Sequence, residues 1–260
     1  MQIIEQIPRG FKRIGNAIII ESNKDYGKYD KEIGAEMLRK TKAESVFLKI
    51  EKIKGRERVP KLKLIAGKNK SVFLTKENGC LFYVNLRRCF FDPSMQNERK
   101  RIYELVKSGE KIIDMFSGVG PFSILLAKKA KIVYAIEINH YAYSLLKRNI
   151  ELNKVKNVIP LLGDAKEMIN KIEGDYDRII MNLPSEAEKF LSFAINKVNK
   201  GVIHLYKFVR YYDSDLNSEA RKISNLLKDE YKVIKNIDFT KCGEVSPYTS
   251  RVCFDIYLEK

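Results

Sequence analysis

The sequence predicts an α/β protein: a mostly parallel, seven-stranded sheet covered by helices on both faces, preceded by a smaller α+β domain. Three observations support this. From residue 111 onward, short apolar runs alternate with longer stretches of helical spacing. The chain closes on two strand-like runs with no helix between them. The part before residue 96 instead holds several strand-like runs around one amphipathic helix. We therefore divide the chain into domains at residues 1–95 and 96–260.

In the larger domain the apolar runs are KIIDMF (111–116), IVYAIEI (132–138), VIPLLG (158–163), DRIIMNL (177–183) and GVIHLYKFV (201–209). Between them PFSILLAKKA, YAYSLLKRNIELN, AKEMINKI and EAEKFLSFAINKV repeat apolar residues at i, i+3 and i+4. That alternation is the pattern of a parallel sheet buried on both faces. The closing runs, YKVIKNIDFT (231–240) and RVCFDIYL (251–258), form a hairpin that puts one antiparallel strand into the sheet. In the smaller domain NAIIIES, SVFLKIEKI, KLKLIAG, SVFLTKE and CLFYVNL read as strands. YDKEIGAEMLRKT is its helix and KENG (76–79) a turn between two strands. Helical spacing from about Gln96 to Lys107 joins the domains, and no low-complexity linker separates them, so they pack together.

Charge narrows the class of partner. With 49 Lys+Arg against 33 Asp+Glu, the net charge is +16. Such an excess attracts a polyanion, most commonly nucleic acid. No apolar run approaches the roughly 20 residues of a membrane span, and the start, MQIIEQIPRGFKRIG, has no leader pattern. Cys80, Cys89, Cys242 and Cys253 are far apart and without neighbouring histidines, which argues against a zinc site or a disulfide framework. The expectation is a cytoplasmic monomer with reduced thiols and no metal.

The chemistry concentrates in DMFSGVGPFSI (114–124), two glycines between a strand and a helix. Gly118 and Gly120 let the backbone approach a ligand at the mouth of the sheet. A dinucleotide fingerprint needs a third glycine where Ser123 stands, and the G-K-[ST] ending of a triphosphate loop is missing. The following strand ends carry polar groups instead. Asp114 precedes the turn. Glu137, about 20 residues past the glycines, is positioned to accept both ribose hydroxyls. Asp164 follows the third strand, within reach of an adenine amine, and Asn182 and Pro184 follow the fourth in MNLP (181–184). A ribose, an adenine and a cationic centre without phosphates describe S-adenosylmethionine. Each residue alone has a plainer reading: a tight turn for the glycines, a solvated strand end for Glu137, a helix N-cap for Asp164, a turn former for Asn182. Their register after consecutive strands favours the ligand.

The residue after MNLP narrows the target. Enzymes acting on exocyclic amines resemble N-P-P followed by an aromatic, whereas Ser185 follows Pro184 here. Carbon-5 pyrimidine chemistry needs a cysteine, and none lies near these strand ends. A ring nitrogen or an oxygen remains. ERKRI, DMFSGVGPFSI, AIEIN and MNLP, in this order, resemble the archaeal and eukaryotic tRNA (guanine-37-N1)-methyltransferase family. RVPKLKLIAG (58–67), KENG and NERKRI resemble that family's second domain, so the similarity covers nearly the whole chain. A sister family transfers an aminocarboxypropyl group from the same cofactor in wybutosine synthesis.

The resemblance implies a Rossmann-like class I methyltransferase domain, S-adenosylmethionine as cofactor, and tRNA, at its anticodon region, as partner. It assigns the general base to Glu98, stabilisation of developing charge on O6 to Arg58, and the base edge to Asn182, with Pro184 shaping the wall. It also implies Phe116, Phe122, Ile138 and Ala165 beside the cofactor, with Asp114, Gly118, Gly120, Glu137 and Asp164. Phe90 and Arg99 join Pro184 on the substrate side. Without it, Glu98 reads as an ordinary helix charge paired with Arg101. Phe90 and Ser94 stand where relatives have Tyr and Arg, and the domain that longer relatives use on the outer corner of tRNA is expected to be missing. Two alternatives stay open: aminocarboxypropyl transfer to a wybutosine precursor at the same position, and a non-catalytic basic RNA-binding protein.

Overall fold

The computed structural model describes residues 10–21, 26–51, 55–211, 215–227 and 233–259. The predicted strand ends at Ser22, 52–53 and 231–232 lie outside these. The smaller domain opens with β1 (Lys12–Ile14), β2 (Ala17–Glu21), α1 (Asp30–Thr41), β3 (Ser45–Lys49) and β4 (Leu62–Gly67). The four strands form one sheet in the order β1-β2-β3-β4. Ile33 and Met37 of α1 pack on Ile18, Ile20, Val46 and Leu48. Gly34 brings α1 close to β4: a Cβ there would stand 2.7 Å from Ala66 Cβ. β1 was not predicted, and at three residues it is too short for a period-2 pattern to register.

KENG is the turn of the next hairpin, β5 (Val72–Glu77) and β6 (Cys80–Asn85). Asn78 (φ 49°) and Gly79 (φ 72°) are both left-handed, as a two-residue turn matched to strand twist requires. This hairpin is its own two-stranded sheet.

The larger domain runs α2 (Gln96–Leu105), β7 (Lys111–Asp114), α3 (Pro121–Leu126), β8 (Ile132–Glu137), α4 (His140–Leu152), β9 (Val158–Leu162) and α5 (Ala165–Asn170). It continues through β10 (Arg178–Met181), α6 (Leu191–Ile195), β11 (Gly201–Arg210), α7 (Leu216–Leu227), β12 (Val233–Ser246) and β13 (Thr249–Glu259). The seven strands lie in the order β12-β13-β11-β10-β7-β8-β9. Only β13 is antiparallel to its neighbours, which is the predicted hairpin ending. α7 was not predicted, although Leu216, Ala220, Ile223 and Leu227 carry a helical spacing. The predicted helix over 186–198 is shorter, a 3₁₀ turn at Ala187–Phe190 followed by α6.

The sheet is buried on both faces. Ile113, Met115, Ile179, Met181, Ile203 and Leu205 pack on α5, α6 and α7, while Ile112, Val133 and Ile180 face Ile102, Phe122 and Leu126. Strand order reverses between β7 and β10, and in open α/β sheets the crevice beyond such a reversal is the ligand site. The β5–β6 hairpin closes one side. Asn149 of α4 exchanges hydrogen bonds with Tyr83 (2.7 and 3.1 Å), and Asn153 does the same with Leu81 (2.8 and 2.6 Å).

Candidate active site

A cavity opens at the C-terminal edge of β7, β8 and β10, walled on the far side by the loop at residues 55–58. Of the residues singled out from sequence, Arg58, Phe90, Arg99, Phe116, Gly118, Glu137, Ile138, Asp164, Ala165, Asn182 and Pro184 line it.

At the β8 end, Glu137 is fixed by two backbone donors, Gly118 N–H to Oε2 and Asn139 N–H to Oε1, both 2.7 Å. Each oxygen keeps a second lone pair. Burial pushes this carboxyl up to about 7, against the pull of those two N–H groups. Gly118 is left-handed (φ 57°), as this approach to Glu137 requires. Phe116 meets Phe190 edge-on at 5.1 Å and, with Ile138 and Ala165, gives the slot apolar walls. The turn at 115–121 contains no Lys or Arg. A diol-accepting carboxylate, an apolar slot and no phosphate-binding cation on the turn fit an adenosyl group with a cationic centre. Asp164 caps α5 through Lys166 N–H (2.8 Å), the plainer of its two readings, and its other oxygen is paired with Arg56.

At the β10 end, Arg58 holds a left-handed backbone (φ 54°), donates to Ser185 Oγ at 3.1 Å and lies 5.7 Å over the Phe90 ring. Burial lowers its pKa, and the neighbouring Arg251 adds to the effect. Asp92 and Arg251 complete this end, joined at 3.0 Å. Burial pushes the Asp92 carboxyl up, but Lys12 (2.9 Å) and Arg251 outweigh it and hold it well below the usual carboxylate range.

The comparisons with known proteins agree with this geometry. A model of the TRM5/TYW2 methyltransferase domain matches residues 73–234, and one of the TYW2 N-terminal domain matches residues 1–70. The chain belongs to the TRM5/TYW2 methyltransferase family. It is 45% identical over 204 residues to a Pyrococcus abyssi protein named tRNA (guanine(37)-N(1))-methyltransferase Trm5b, covering 78% of this chain and 61% of that one. It is 36% identical over 258 residues to a Methanocaldococcus jannaschii protein named tRNA(Phe) (4-demethylwyosine(37)-C(7)) aminocarboxypropyltransferase, covering 96% and 98%. The chain thus spans under two thirds of the first relative and nearly all of the second. The crystal structure of P. abyssi Trm5b superposes with a TM-score of 0.89 at 37% identity, covering 100% of this chain and 78% of that one. M. jannaschii TYW2 in complex with AdoMet gives 0.74 at 26% identity, covering 96% and 100%.

Four expected site residues of this TRM5/TYW2 member stand behind the cavity wall, not in it. Asp114 is fully buried; Oδ2 accepts from Ser123 Oγ at 2.7 Å, while Oδ1 has no hydrogen-bond partner among the described residues. Burial raises its pKa to about 6, opposed by Ser123. Gly120 serves packing: a Cβ would stand 2.6 Å from Leu146 Cδ1, with φ at 93°. Phe122 is a core residue 6.0 Å from the Tyr206 ring.

Glu98 is the largest departure. Its carboxylate is buried and fully engaged, accepting from Arg101 at 2.7 Å on each oxygen and from the Tyr206 hydroxyl at 2.7 Å. Pairing with Arg101 is the plainer reading of the sequence, except that the Glu98 side of the pair is buried and Arg101 only partly exposed. Arg101 also donates to Asp255 (2.6 Å), which pairs with His204 (2.6 Å), which meets Arg178 (2.6 Å). His204, Cys253 and Asp255 converge as metal ligands do, but Arg178 and Arg101 already bond the His and Asp atoms. Arg99 edges the cavity, yet its guanidinium is held by Glu77 and by Asp92 C=O (2.8 Å), so it clamps α2 to the β5–β6 hairpin instead of awaiting substrate. Asp92, Arg251, Phe190 and Phe208 were not anticipated: they come from segments without a glycine turn or motif, and only the fold gathers them.

Proposed function

We propose that this chain methylates N1 of guanine 37 in tRNA, with S-adenosylmethionine as donor. The observation that carries this reading is the two-ended cavity. Glu137 and an apolar slot lie at one end, Arg58, Phe90 and Asn182 at the other, in a chain 45% identical to a tRNA (guanine(37)-N(1))-methyltransferase. When bound, the cofactor supplies an electrophilic methyl group on a sulfonium.

The remaining work falls to side chains. Guanine N1 is a poor nucleophile until its proton leaves, and Arg58 is suited to offset the negative charge that then develops on O6. Asn182 holds the base edge, and Phe90 presents a ring for stacking while its other face meets Arg58. Glu57 and Glu186 also line the cavity but are exposed, which leaves two carboxylates to compete for the role of base. Asp92 lines the cavity, but two cations make it a weak proton acceptor. We therefore keep Glu98, in the first turn of α2 next to the cavity-lining Arg99 and three residues after the cavity-lining Met95. To act, it has to exchange Arg101 and Tyr206 for the guanine N1 proton.

A second reading has its own support: the near end-to-end match to the aminocarboxypropyl enzyme and the TYW2-type first 70 residues. Incubating an unmodified tRNA transcript and, in parallel, a tRNA carrying 4-demethylwyosine at position 37 with the protein and S-adenosylmethionine, then weighing the nucleosides, separates the two. A gain of one methyl on guanosine supports the first reading; a heavier adduct on a wybutosine precursor supports the second. No incorporation into either substrate rejects both.

A further inference from the structure

The β5–β6 hairpin and α4 meet along a junction that ends at the cavity. At its far end Asn153 and Asn149 of α4 donate to the Leu81 and Tyr83 carbonyls. At its near end Asn139 Nδ2 donates to Arg88 C=O at 2.7 Å. Asn139 lines the cavity, and so does Phe90, two residues past Arg88. Two arginines cross the junction, one from each side. Arg148 of α4 lies 3.8 Å over the Tyr83 ring, and Arg88 lies 4.8 Å over the Tyr141 ring. Tyr141 and Arg148 are seven residues apart, so they share one face of α4 at a separation of two turns, about 10 Å.

Both arginines are exposed, and neither guanidinium makes a hydrogen bond or an ion pair among the described residues. The stretches that build the junction, 81–91 and 140–150, contain Arg87, Arg88, Lys147 and Arg148 and no Asp or Glu. Glu57 and Glu151, at its two ends, are exposed and pair with neither arginine. Asp92, just past the first stretch, is held by Lys12 and Arg251. A guanidinium laid on an aromatic face has its plane fixed and its N–H edge free, the geometry that meets a phosphate through two parallel hydrogen bonds. The chain itself supplies no anion for either one. An acidic protein segment would meet the same charge. The junction, however, runs into the cavity, and a nucleic-acid strand entering there brings a phosphate with every nucleotide.

We propose that the junction of α4 with the β5–β6 hairpin is an RNA-backbone site, with Arg88 and Arg148 on phosphates of the strand that carries the target base. This rests on the reading that a base of an RNA loop enters the cavity. Contacts to phosphate carry no sequence information; they fix register and orientation. The two arginines therefore act on RNA affinity and leave the binding of the cofactor alone.

The test titrates an unmodified tRNA transcript with the full chain and S-adenosylhomocysteine, so that no transfer occurs, over a range of salt concentrations. Arg88→Met and Arg148→Met keep an unbranched stem over each ring and remove the charge. Each should weaken binding about tenfold at low salt and reduce the slope of log affinity against log salt by about one. The double variant should reduce it by about two, with the affinity for S-adenosylhomocysteine unchanged in calorimetry. Lys31→Met, which removes an exposed cation on α1, should leave the slope as in wild type. A companion measurement needs no substitution and decides the outcome if a Met variant fails to fold: RNA should protect Arg88 and Arg148 of wild type from phenylglyoxal, read by mass spectrometry of the peptides. Unchanged affinity and slope in the double variant, or absence of protection, overturns the site while leaving guanine methylation standing. An equal loss from Lys31→Met assigns the effect to net charge and also overturns it. Wild type that binds no RNA overturns both.

Discussion

The Tyr206 hydroxyl donates to Glu98 Oε1 at 2.7 Å, tying the carboxylate on α2 to a central strand of the large sheet. Arg101 takes the other side of the same carboxylate and is itself anchored by Asp255. If Glu98 removes the guanine proton, these contacts oppose it. Tyr206→Phe should therefore raise the single-turnover rate, by about tenfold or more given the usual contribution of a hydrogen bond to a charged group, and lower the melting temperature. A slower variant would mean that Glu98 works from where it stands. Glu98→Gln should slow transfer about 100-fold or more with cofactor affinity unchanged by calorimetry. If Asp92→Asn does so and Glu98→Gln does not, the base is Asp92.

In the proposed reaction Arg58 acts on charge that forms as the guanine proton leaves. Arg58→Ala should lower the transfer rate by about 100-fold while the dissociation constant for S-adenosylmethionine stays within about twofold, since no cofactor group is assigned to it. Equal losses in both would move Arg58 to the cofactor side.

Glu137 gives a pH signature. Its carboxyl titrates near 7 in the fold because of burial, against an ordinary value of about 4.3. Between those values the folded protein holds a proton that the unfolded chain has released, so this group's contribution to stability declines as pH rises through that window. If Glu137 accepts from the ribose diol, cofactor binding runs the other way, because only the ionised carboxylate is a pure acceptor. Affinity should improve about tenfold from pH 6 to pH 8, and Glu137→Gln should flatten the profile in calorimetry. Asp114 titrates near 6, so the upper half of the window belongs to Glu137.

Glu77 and Arg99 form a buried pair between the β5–β6 hairpin and α2. Removing one partner of such a pair is costly, and Glu77→Ala should destabilise the protein by about 3 kcal/mol in urea titration. A loss below about 1 kcal/mol would indicate that Arg99 finds another acceptor.

The parallel sheet, its antiparallel ending and the Glu137 end of the cavity were legible in the sequence because each is written locally. Apolar runs mark β7 to β11, and Gly118, Glu137 and Asp164 follow strand ends at fixed offsets. Asp114 and Gly120 belong to the same motif but act one layer down, in support of the turn, and a motif does not record depth. The Arg58 end was less legible for a different reason. Arg251 and Phe208 face each other only through the register of two strands distant in sequence, and Asp92 gains its partners from residues 12 and 251. Glu98 reads equally as a base or as half of an ion pair, and the ion pair is what the fold displays.

Asn139 accepts the α4 cap hydrogen bonds on its Oδ1, and its Nδ2 reaches Glu57 C=O (3.1 Å) and Arg88 C=O (2.7 Å). One buried amide thus stitches the two lobes together directly beside Glu137. With that seam in place the entrance has little freedom to widen by hinging. If a nucleobase enters as proposed, the deformation falls on the loop of the RNA, and transcripts whose loops unstack readily should be modified fastest.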